Sequence, residues 1–185
     1  MKGLTLIVPI LLLASCPMAQ STKKDKASVD YHEAIEHAEI KPESDRRLEL
    51  RGCVKNWDAL STDRTGLFDG SPSKAGSVTL EVGNSGFPRY DYVRVDGFLL
   101  SSSYSSATVD VSKSSLGKKL SKLYASSLAD LYGSADAEVD DGDCYYLTVN
   151  GNAGKRSVAI YGYPGSTQSG ILVKELLDAA EGHDY

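Results

Sequence analysis

Histidine is the residue most often used to move a proton or hold a metal near neutral pH, and the 185-residue chain has three: His32, His37 and His183. All lie outside the apolar, patterned stretch from Asp45 to Gly182, so a histidine triad or metal cage would have to borrow from an end. Two histidines that share a metal on one helix stand four apart; in HEAIEH over 32–37 they are five apart, about 140° round the helix, and point away from each other. Ser115-Leu116-Gly117-Lys118 sets a serine and a lysine one turn apart, a nucleophile spacing, but Ser21 to Lys24 and Ser71 to Lys74 repeat it and no companion motif follows. Ser115 reads as a helix cap. GNAGKRS has Val149 where a phosphate cradle needs its first glycine, and Arg156 where it needs Ser or Thr. The acids Asp136, Glu138, Asp140, Asp141 and Asp143 lack the central glycine and final glutamate of a calcium loop. No metal or cofactor is expected. Paired carboxylates can still work without histidine, for example in glycan hydrolysis with two acids about 5 to 9.5 Å apart.

Aromatic residues offer a different chemistry. Eleven tyrosines accompany three phenylalanines and one tryptophan, and most lie between Tyr90 and Tyr163. By strand parity Tyr90, Tyr92, Tyr146, Tyr161 and Tyr163 share one sheet face with Arg94 beside them, the residue types that serve binding surfaces. That face is the expected partner-binding site. Net charge is −5, spread along the chain, which lacks the clustered basic footprint of a nucleic-acid binder.

Elements must position these residues. Lys2 and the apolar run Leu4 to Leu13 read as a secretory leader, too short to span a bilayer as a helix. Ordinary cleavage is awkward in every register because of Pro17. Residues 16–44 are polar and read as a tether, with a short solvated helix in YHEAIEHAEI. Residues 45–182 then suit one domain. RRLELRGCV alternates like a strand; SVTLEV is a second; YDYVRVDGFLLSSSY is a hairpin about Asp96-Gly97. KSSLGKKLSKLYASSLADLYG has helical spacing from Leu116 to Leu131, capped by Ser114 or Ser115 and ended by Gly133. A hairpin about Asn150 to Lys155 and a helix from about Gln168 to Ala180 finish the chain. Short connections imply an α+β fold, a two-layer sandwich of mainly antiparallel sheet with two helices on one face. Cys53 and Cys144 are the pair left if Cys16 is otherwise used, and an oxidising compartment would join them.

Leu13-Ala14-Ser15-Cys16 resembles a bacterial lipobox. The resemblance implies that residues 1–15 are removed and that Cys16 is acylated on sulfur, becoming the first mature residue. Pro17 in place of aspartate implies no inner-membrane retention. From Ser77 to Ala180 the layout loosely resembles small exported bacterial domains of unknown function and, at fold level, protease inhibitors of the emfourin type. The expectation is a lipid-anchored envelope protein with a non-catalytic domain that binds a protein or envelope polymer. The alternatives are a glycan-directed carboxylate hydrolase and a secreted protease-inhibitor-like protein.

Overall fold

A computed structural model describes residues 31–38, 47–60, 75–135 and 142–182. Leader residues 1–15, Cys16 and most of the expected tether lie outside the described residues, as does most of the acidic loop. The elements are α1 Tyr31–Glu36, α2 Arg47–Ala59, β1 Ser77–Asn84, β2 Tyr90–Asp96, β3 Leu99–Ser102, β4 Val109–Asp110, α3 Ser115–Ala125, β5 Ser134–Ala135, β6 Asp143–Gly151, β7 Gly154–Tyr161 and α4 Gln168–Ala180. The fold is α+β with a mainly antiparallel sheet ordered β4-β3-β2-β1-β6-β7-β5, in which the two-residue β5 alone runs parallel to its neighbour.

Alternation along the central strands makes two cores. Val78, Leu80 and Val82 of β1 stand in register with Val95 and Val93 of β2 and with Val149, Leu147 and Tyr145 of β6. They bury against Leu116, Leu120, Leu123 and Tyr124 of α3 and Leu172, Val173 and Leu176 of α4. Ser114 caps α3, accepting the Gly117 N–H at 3.1 Å. The helix stops at Ala125, earlier than its apolar spacing suggests: Ser126 turns to extended backbone at ψ 171°, and the Asn152 N–H of the β6–β7 turn takes the Tyr124 carbonyl at 2.8 Å. Leu128 and Leu131 still reach the core from the following loop. The first hairpin turns on Gly97 and Phe98, one residue later than the Asp96-Gly97 reading, and Gly97 supplies the positive φ of 62°.

The second core departs from the expected two layers. Residues 47–59 form a helix, not a strand: Leu50, Cys53, Val54 and Trp57 recur at three and four residues and face the sheet, while Leu48, half of the apparent alternation, points to solvent. The tether reading is corrected as well, since Ala34, Ile35 and Ala38 of and just after α1 are buried with them. A third layer, α1 with α2, therefore covers the β1, β6 and β7 part of the face opposite α3 and α4. A disulfide between Cys53 of α2 and Cys144 of β6 fastens this layer across 91 residues of sequence. On the chain-entropy argument a loop of that size stabilises the fold by about 4 to 5 kcal/mol.

Candidate functional site

Strand parity brings the expected tyrosines together. Glu81, in the middle of β1, has Tyr92 of β2 on one side and Tyr146 of β6 on the other. Gly83, two residues on, lies between Tyr90 and Cys144, and Tyr161 of β7 stands opposite Cys144. Arg94 pairs with Thr79 on the same face. Tyr163 does not join them: it lies beyond the end of β7 and is 76% exposed.

The face is occupied by the chain itself, which corrects the docking reading. Tyr146, Tyr161 and Glu81 are each 0% exposed. The Tyr146 hydroxyl donates to the Leu50 carbonyl of α2 at 2.7 Å, and the Tyr161 hydroxyl accepts the Gly142 N–H at 2.9 Å. The Tyr31 hydroxyl of α1 reaches both oxygens of the Glu81 carboxylate at 2.7 and 2.8 Å, and the Tyr90 hydroxyl donates to Oε1 at 3.1 Å. Trp57 meets Tyr31, Tyr90 and Tyr146 edge to face at 5.6, 5.4 and 5.1 Å. It fits because residue 83 is glycine: a Cβ there would overlap the indole. Burial first, and then the charge of Glu81, push the Tyr146 phenol well above its ordinary pKa, so it serves as a neutral donor. Tyr92 and Arg94 remain half-buried at the margin of this layer, with Arg94 3.7 Å from Asp96.

A polar cluster closes the other core at the end of the sheet. Arg89 donates to Asp91 at 2.8 Å and to Asp143 at 3.2 Å, and Asn84 also donates to Asp143 at 3.0 Å. Burial alone would lower the Arg89 pKa, but the Asp91 hydrogen bond and the Asp143 charge more than reverse this. Tyr104 and Tyr145, beside it, are each pushed up to about 12, by burial first and then by Asp91 and Asp143 respectively. A guanidinium shared by two carboxylates ties β2 to β6 at this end of the sheet.

Two recesses are lined by described residues. Between α1 and β7 lies a cleft of about 180 Å³ lined by Glu33, Ala34, His37, Lys155, Arg156, Ser157 and Val158. His32 and His37 thus belong to the packed body, which is not histidine-free as the sequence implied, and both are exposed. Among the described residues no group of His, Cys, Asp and Glu could hold a metal ion. Between α3 and α4 runs a groove of about 350 Å³. Leu123, Leu131, Ile171 and Leu172 form its apolar floor, and Lys119, Lys122 and Glu175 stand on its walls. Lys119 and Glu175 pair across one end. The Glu175 Oε2 is buried and has no hydrogen-bond partner among the described residues.

Sequence reasoning did not single out Glu81 or this groove. The signal for Glu81 was the face Thr79-Glu81-Gly83, where an acid sits one step from a mid-strand glycine. The signal for the groove was Ile171, an apolar residue off the buried stripe of its helix and 43% exposed. Comparison with protein-family models, curated proteins and solved structures gives no match.

Proposed function

We propose that the chain is an exported, lipid-anchored cell-envelope protein whose body is a non-catalytic binding module. The observation that carries this reading is the disulfide between Cys53 and Cys144, buried under α2. Such bonds persist in oxidising compartments and are rare where thiols are kept reduced. It agrees with the apolar leader and with the lipobox-like Leu13-Ala14-Ser15-Cys16. On this reading Cys16 carries the lipid, and residues 17–30, fourteen in all, lead to α1. Even fully extended they hold the body within about 50 Å of the bilayer.

Binding then belongs to the outer helical face, because α1 and α2 occupy the sheet face that the tyrosines define. The α3–α4 groove joins an apolar floor to a few polar groups, the usual make-up of a recognition site. The partner is an envelope protein or polymer. Fractionation of cells expressing the full chain tests the anchor: wild-type protein sediments with membranes and incorporates labelled palmitate, whereas Cys16→Ala does neither. Equal sedimentation and labelling of the two would refute it.

A further inference from the structure

We infer that the α3–α4 groove receives an acidic amphipathic peptide segment of a partner protein. The inference rests on the binding reading above and names the chemistry of its partner. The groove follows α3 from Lys119 to Ser126 and α4 from Gln168 to Glu175. Seven residues of helix are about 10 Å, two turns, which matches the apolar stripe of a short amphipathic helix with anchors at i, i+3, i+4 and i+7. Of the apolar floor, Leu123, Leu131 and Leu172 are mostly covered and Ile171 is exposed.

Charge selects what kind of helix. α3 carries Lys118, Lys119 and Lys122 and no acid, in a chain whose net charge is −5. Lys119 is matched by Glu175, but Lys122 on the groove wall has no ion pair among the described residues. An acidic side chain on the occupant would meet it. The buried Glu175 Oε2 makes the opposite demand, for an N–H or O–H donor, since a covered acceptor without a donor is costly. A helical peptide supplies apolar anchors and carboxylates along its length and free N–H donors at its first turn. A simple anionic acyl chain supplies only the first two.

The probe is a fluorescein-labelled peptide with Leu at the four anchor spacings and Glu between them, titrated into the full-length, oxidised protein by fluorescence anisotropy. The groove predicts saturable binding that a scrambled peptide lacks. Ile171→Glu should abolish it, and Lys122→Glu should weaken it about tenfold. Lys55→Glu on exposed α2 should leave it unchanged. Unaltered near-ultraviolet dichroism from Trp57 confirms that each variant is folded. No binding at millimolar peptide, equal binding of the scrambled peptide, or indifference to Ile171→Glu would overturn the inference. So would Ile171-dependent binding of anionic phospholipid vesicles without binding of the peptide. Each result is independent of whether Cys16 bears lipid, so failure of the groove and failure of the anchor are read separately.

Discussion

Glu81 sits out of water in the middle of β1, where an ionised carboxylate is expensive unless it is hydrogen-bonded. The Tyr31 and Tyr90 hydroxyls meet that need, and Tyr31 does so from a different layer of the fold. Tyr31→Phe keeps the ring contacts with Trp57 and Tyr146 but removes the donor. Urea denaturation should show a loss of about 1.5 to 3 kcal/mol, the size of a hydrogen bond to a charged group; an unchanged midpoint would mean that α1 is not held through Glu81. The buried phenols make a second prediction. Tyr104 and Tyr145 hold their protons to about 12, whereas a tyrosine in the unfolded chain releases its own near 10. The unfolded state therefore binds fewer protons between those values, and stability must fall as pH rises from about 10 to about 12. Absorbance of the folded protein at alkaline pH should show Tyr104 and Tyr145 ionising only near 12. A single transition near 10 in the folded protein would contradict their burial.

At the scale of elements, the disulfide is the seam between α2 and the sheet. Cys53→Ser should lower stability by a few kcal/mol and loosen α2 enough to expose Trp57, the chain's only tryptophan. Its emission should then move to the red and become accessible to a neutral quencher; a buried, unquenched indole in this variant would show that packing alone holds α2. The same elements show what could be read beforehand. The strands of β1, β2, β6 and β7 were legible because Val78-Leu80-Val82, Val93-Val95 and Leu147-Val149 alternate without ambiguity. The α4 bounds were legible from Leu172, Leu176 and the stop at Gly182. α2 was not, because Leu48 and Leu50 mimic a strand over four residues and only the continuation through Cys53, Val54 and Trp57 reveals the longer period. Parity places Tyr90, Tyr92, Tyr146 and Tyr161 on one face and fails for Tyr163, which lies past the end of β7. Which helices cover that face depends on contacts such as Tyr31 with Glu81, 50 residues away, and Leu50 with Tyr146, 96 away, and short-range periodicity does not carry such information.

Across the whole molecule, the third layer changes how the body can meet anything else. It spends the aromatic sheet face on internal packing and leaves the α3–α4 face, with its groove and lysines, on the outside. It also brings the packed body to within fourteen residues of Cys16, so that on the proposed acylation a disulfide-fastened domain would stand close to the bilayer. The most direct measurement of that claim is the intact mass of the mature protein extracted from membranes, with fragmentation of its first residues. The account predicts a chain that starts at Cys16 bearing a thioether-linked diacylglycerol, with Cys53 and Cys144 each lighter by one hydrogen. A lipid-free chain starting at Gln20, or free thiols at Cys53 and Cys144, would contradict it.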